Sequence, residues 1–171
     1  MEKLEREEMH YWGTPKSVRR AYLDARFGQV HYRISRPSST TKRPLICFHL
    51  SPNSGRVYNL FLAEMGKDRI ALAPDTPGFG ESDPPKKIPE LDDYAACMGE
   101  VIDTLGLGEV DVMGYHTGSK TALILAKQRP NQIKRIVLVS APVYSESELI
   151  EQKKSMGHAE VDKTSKDGSH L

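Results

Sequence analysis

The sequence predicts an α/β fold, a mostly parallel sheet with helices on both faces, and three observations carry that prediction. Short apolar runs such as Leu45-Ile46-Cys47-Phe48 and Ile136-Val137-Leu138-Val139 are continuous rather than alternating, the pattern of strands covered on both sides. Segments of helical spacing stand between them. Turns rich in glycine, proline and serine follow the strand segments, and in such a sheet binding chemistry collects at the carboxyl ends of the strands.

In chain order, residues 1–18 form a charged arm that closes with Gly13-Thr14-Pro15, so a frayed or weakly helical lead-in is expected. Ala21 to Arg26 and Gln29 to Ile34 alternate and are joined at Phe27-Gly28, which suits a hairpin with one wetted face. The strand at 45–48 leads through a Ser/Pro/Asn/Gly turn into a helix from about Val57 to Met65. Ile70-Ala71-Leu72-Ala73 repeats the buried-strand pattern, and Asp75 to Pro89 is too rich in turn formers to be other than a surface loop. Leu91 to Leu105 has helical spacing through Tyr94, Met98, Val101 and Ile102, and Gly106 and Gly108 close it. Val110 to Met113 is the next strand. It passes through Gly114 and Gly118 into a helix of roughly Ser119 to Gln128, which Pro130 stops, and 136–139 is the last strand. The organisation expected is an arm (1–18), a core (19–145) and a polar segment (146–171) with a short helix at best.

A length of 171 residues suits one domain. With 24 Lys+Arg against 23 Asp+Glu and no long run of one sign, nucleic acid is not an expected partner. No apolar run is long enough to span a bilayer, and the charged N-terminus lacks the apolar stretch of a leader, so no membrane association and a cytoplasmic location are expected. Cys47 and Cys97 lack zinc-ligand spacing and read as small core residues in a reducing compartment.

Three motifs, each at a strand end, together resemble the α/β-hydrolase superfamily over about residues 20–145. His49-Leu50-Ser51-Pro52 is similar to the family's His-Gly-x-Pro turn, with Leu50 in place of the usual glycine. Asp75-Thr76-Pro77-Gly78-Phe79-Gly80-Glu81-Ser82 resembles the D-x-P-G-x-G-x-S segment almost letter for letter. Gly114-Tyr115-His116-Thr117-Gly118 is similar to the nucleophile elbow G-x-S-x-G, with histidine in the nucleophile position. In an elbow the apex residue occupies a strained turn and points into the pocket, and glycine flanks it because side chains there would collide with strand and helix.

The resemblance implies an α/β-hydrolase fold and, in the complete protein, hydrolysis of a small ester, amide or related carbonyl substrate without a cofactor. His116 would attack or activate water, and the backbone N–H groups of Ser51 and Thr117 would form the oxyanion hole. His49, Asp75, Gly114 and Gly118 would shape the pocket. Ser51 and Ser119 are also hydroxyls near that pocket, but local hydrogen bonding accounts for both more simply than nucleophilic duty. His49 and His116 converge at strand ends without a third ligand at an identifying spacing, so no metal is expected. The acid and histidine of a triad would come from loops after later strands. Asp162, Asp167, His158 and His170 lie in the polar segment 146–171, which the resemblance implies to be the start of a cap or lid region and which otherwise reads as a disordered tail, and the fold is expected to be truncated before its last strands. The competing reading is a truncated or non-catalytic pseudo-hydrolase, acting as a binding module or having no activity. An uncovered sheet edge would then favour self-association.

Overall fold

A computed structural model describes residues 13–157, with side chains described as far as residue 151. The expected arm at 1–12, and His158, Asp162, Asp167 and His170, lie outside the described residues. Six strands form one sheet: β1 (Arg19–Ala25), β2 (Gly28–Ser35), β3 (Leu45–Phe48), β4 (Ala71–Pro74), β5 (Val110–Tyr115) and β6 (Ile133–Val139). Their order across the sheet is β1-β2-β4-β3-β5-β6. The β1–β2 and β2–β4 pairs are antiparallel, and β4–β3, β3–β5 and β5–β6 are parallel, so the sheet is mixed but parallel through the part that carries the strand-end motifs.

Alternation along the central strands explains the layering. Ile46 and Phe48 of β3 point to one face, where they meet Met98, Val101 and Ile102 of α2 (Leu91–Thr104) and Ala122 and Leu125 of α3 (Thr117–Gln128). Leu45 and Cys47 point to the other, against Leu62 of α1 (Asn59–Met65) and Tyr58 in the 3-10 turn Gly55–Tyr58 that precedes it. Burying each of these large apolar side chains is worth roughly 1.5–3 kcal/mol, which makes the two half-cores the main source of stability. Both cysteines are buried free thiols, and burial pushes Cys97 up to about 12.

Two boundaries and one exposure pattern differ from the sequence expectation. The last helix of the core begins at Thr117 rather than Ser119, and β6 begins at Ile133 rather than Ile136. The hairpin has a wetted strand but not a wetted face. β1 is largely exposed, whereas β2 lies between β1 and β4 and buries both sides, including His31 and Arg33. Those polar residues tolerate the interior because carboxylates meet them there.

The chain divides after Ala141 into two units. In the second, α4 (Glu146–Gly157) is the short helix foreseen in the polar segment. Ser145 and Glu148 cap it reciprocally, Ser145 Oγ accepting from the Glu148 N–H and Glu148 Oε2 from the Ser145 N–H.

Candidate functional site

The carboxyl ends of β3, β4 and β5 bring the three motifs together. After β3, the His49 ring is fixed from two sides. The Thr76 N–H donates to Nε2 at 2.9 Å, so the ring proton sits on Nδ1 and is donated to the Leu50 carbonyl, also at 2.9 Å. Burial pushes this imidazole below its usual value, while the Leu50 carbonyl and the charge of Asp75 oppose that shift. The Phe79 ring meets it edge-on.

After β4, Asp75 ties the surrounding loops together. Its Oδ1 accepts from the Gly55 N–H at 2.7 Å, and its Oδ2 accepts from the Glu81 N–H at 3.0 Å and from His31 Nδ1 at 2.9 Å. Burial alone would raise this carboxyl. The bonds from His31, Glu81 and Gly55 outweigh it and hold the group below its ordinary range. The Ser82 hydroxyl extends the knot by donating to the Asp75 carbonyl while accepting from the His31 N–H. Gly80 is held against Asp75 with a φ of +58°, a conformation and a spacing that only glycine meets without strain.

After β5, the chain turns sharply into α3. His116 has φ 49° and ψ −114°, an uncommon conformation for a residue with a side chain. Its N–H donates to the Val139 carbonyl of β6 and its carbonyl accepts from the Ser119 N–H. The two glycines are there for steric reasons. A methyl group on Gly114 would run into the backbone of Ser119, and one on Gly118 into the carbonyl of Phe48. Ser119 itself is buried and donates to the Gly114 carbonyl, the local bond expected of it.

A cavity of about 160 Å³ lies at this end of the sheet, lined among others by His49, Ser51, Phe79, Tyr94, Thr117 and Thr121. His116 was expected to point into the pocket. Its side chain is instead exposed and is not among those lining the cavity. At the cavity rim the Ser51 N–H, the first of the two expected oxyanion donors, already donates to Thr117 Oγ1 at 2.7 Å. The Ser51–Pro52 peptide is cis. A larger groove of about 700 Å³ beside the β1–β2 turn touches none of these residues.

Sequence reasoning missed several participants. Thr121 lies one helical turn beyond Thr117 and so shares its face, a signal available from spacing alone. Tyr94 reads as a core position and lines the cavity as well. His31 and Arg33 carry no spacing signal, because their acidic partners Asp75 and Glu81 arrive from a distant loop. Among the described residues no group of three or more His, Cys, Asp or Glu side chains is placed to hold a metal ion.

Comparison with known proteins bears on this geometry. The family described as alpha/beta hydrolase fold matches residues 44–160. Haloalkane dehalogenase 2 of Mycobacterium tuberculosis (strain ATCC 25618 / H37Rv) is 29% identical over 119 residues, covering 68% of this chain and 40% of that protein. A 2-hydroxy-6-oxo-2,4-heptadienoate hydrolase of Pseudomonas putida is 31% identical over 81 residues, covering 47% of this chain and 29% of that one. Among solved structures, an N-acyl homoserine lactonase bound to N-hexanoyl homoserine lactone superposes with a TM-score of 0.68 at 24% identity, over 78% of this chain and 49% of its own. At that identity the likeness speaks for the fold. The chain thus spans well under half the length of these curated relatives.

Proposed function

Because this chain belongs to the alpha/beta hydrolase fold family, we propose that it carries the nucleophile and oxyanion half of a hydrolase site, which in the complete protein acts on a small ester, amide or related carbonyl substrate. The observation that carries this reading is the conformation of His116. A non-glycine residue with φ 49° and ψ −114° stands between Gly114 and Gly118, at the end of β5 and the start of α3. That conformation supports reading the turn as a nucleophile elbow, and strain of this kind, of order 1–3 kcal/mol, concentrates where a side chain must be presented to a ligand.

In this mechanism the substrate carbonyl sits at the rim of the cavity, and a lone pair on the exposed His116 imidazole attacks its carbon or takes a proton from an attacking water. Negative charge then develops on the carbonyl oxygen, and when that pair returns to the carbon the C–O or C–N bond breaks and the alcohol or amine leaves, water afterwards hydrolysing the acyl-imidazole where His116 itself attacked. The N–H of Thr117, at the positive end of α3, is the donor that faces that oxygen, and the N–H of Ser51 across the cavity rim backs that residue by donating to Thr117 Oγ1. His49 holds the turn that carries Ser51 in place through its paired bonds to Thr76 and Leu50. Activated esters, a lactone and a haloalkane, the last for the relative whose name specifies it, form the assay panel for the complete protein. His116→Ala is expected to lower kcat/KM on the substrate turned over by about 100-fold or more. An unchanged rate removes His116 from the mechanism.

A second reading has its own support. The His116 ring makes no hydrogen bond or ion pair with any other described residue, so nothing here orients it as a base is oriented in a triad. On that reading the site binds a small molecule without turning it over. Ligand binding at the cavity together with no turnover across the panel favours it.

A further inference from the structure

The contact between Ser51 and Thr117 changes which atom faces the substrate. The Ser51 N–H points at Thr117 Oγ1 across 2.7 Å, within the range of a good hydrogen bond. A carbonyl oxygen entering the cavity would find this N–H already engaged. Thr117 Oγ1 accepts that bond, and among the described residues its own hydroxyl proton is donated to no protein group. Thr117 lines the cavity and is only half-buried, so the proton is available on the cavity side. A hydroxyl that accepts a hydrogen bond becomes a better donor through the same oxygen, since successive bonds polarise one another.

Resting on the hydrolase reading above, we propose that the Thr117 hydroxyl is a direct catalytic donor to the developing oxyanion, relaying the Ser51 N–H. Thr117 then contributes twice, through its backbone N–H at the start of α3 and through its side chain. As the new bond forms at the carbonyl carbon, the π pair moves onto the carbonyl oxygen and the hydroxyl bond to it strengthens. The hydroxyl keeps its proton throughout, so no acid or base beyond those of the main mechanism is required.

Three substitutions in the complete protein test this. Thr117→Ser keeps the hydroxyl, Thr117→Val keeps the shape and loses it, and Thr117→Ala replaces the valine variant if that one melts below the assay temperature. The readouts are kcat and KM on the best ester of the panel, and the dissociation constant of butylphosphonate monomethyl ester, a stable tetrahedral anion. Thr117→Ser is expected to stay within about threefold of the parent, whereas Thr117→Val lowers kcat by about 100-fold with little change in KM and weakens phosphonate binding at least tenfold. If Thr117→Val equals or exceeds the parent, the hydroxyl is only a plug over the Ser51 N–H and the proposal is overturned while the hydrolase reading stands. A parent that binds the phosphonate without turnover still decides the point through the binding ratio. A parent that neither turns over the panel nor binds the phosphonate overturns both.

Discussion

Asp75 Oδ2 lies 2.9 Å from His31 Nδ1, and neither side chain is more than 1% exposed. The pair joins the second strand to the loop that follows the fourth, and the remaining Asp75 contacts reach back to Gly55 beside the His49 turn. An enclosed carboxylate with three donors around it is expensive to disturb. Asp75→Asn keeps the size but turns one acceptor into a donor, so at least one N–H is left facing an NH₂ group. Urea unfolding should show a loss of about 2–4 kcal/mol. A loss below about 0.5 kcal/mol would mean that the knot does not hold these loops together.

Acid should weaken the fold in two stages. His49 is held below its ordinary value of 6.5 and Asp75 below its ordinary value of 3.8. For a group whose folded pKa is depressed, the unfolded chain takes up the proton first. Its stabilisation is therefore complete above the unfolded value and is lost as pH falls through the folded one. Stability should begin to fall below about pH 6.5 on account of His49, and fall again below about pH 3.8 on account of Asp75. Melting curves across this range check it, and His49→Gln should flatten the upper stage alone.

Gly114→Ala and Gly118→Ala each place a methyl group against backbone, at Ser119 and at the Phe48 carbonyl, neither of which is the end of a flexible side chain. Each is expected to cost about 2–4 kcal/mol in thermal or denaturant unfolding, and at Gly118 this exceeds the roughly 1 kcal/mol by which helix propensity favours alanine within α3. If Gly118→Ala were neutral or stabilising, the close approach of β3 to α3 would be wrong.

His116→Gly and His116→Ala should separate strain from chemistry. Glycine relieves the positive φ and is expected to raise stability by about 1 kcal/mol, whereas alanine keeps the strained backbone and leaves stability nearly unchanged. Comparing the two midpoints of unfolding suffices, and equal midpoints would argue against strain at this turn.

The edge strand β6 exposes Ile136, Val137, Leu138 and Val139, with Val137 at 50%. An apolar edge of this length is a template for pairing with another chain, so the isolated chain is expected to self-associate. Sedimentation velocity over a hundredfold range of concentration should show it, and Val137→Lys should suppress it. A monomer at every concentration contradicts the expectation.

Much of the fold is legible because the core segments obey simple patterns. The run Leu45–Phe48 is buried on both faces and reads so, and Asp75–Pro89 reads as a loop from its prolines and glycines. The early start of α3 was hidden because Thr117 and Gly118 are poor helix formers whose place is set by the turn at His116, not by propensity. The interior position of His31 and Arg33 was hidden for a different reason. Alternation places a residue on one side of a strand but does not say whether that side is wet, and here α1 and a loop from beyond β4 cover it. At the site, glycine spacing pointed to the turn, while the Ser51–Thr117 bond depends on an approach between two segments that no linear pattern encodes.

The strand order carries a consequence for synthesis. Leu45 of β3 pairs with Ala71 on one side and with Asp111 on the other, so the middle of the sheet stays open along one edge until residues 110–115 have left the ribosome. Until then the nascent hairpin and the first βα unit expose an unfinished sheet, with Leu45 and Ile46 awaiting their second neighbour. Whatever delays the arrival of β5 prolongs that exposure, so the step that closes the middle of the sheet is also the one that ends the chain's most aggregation-prone stage.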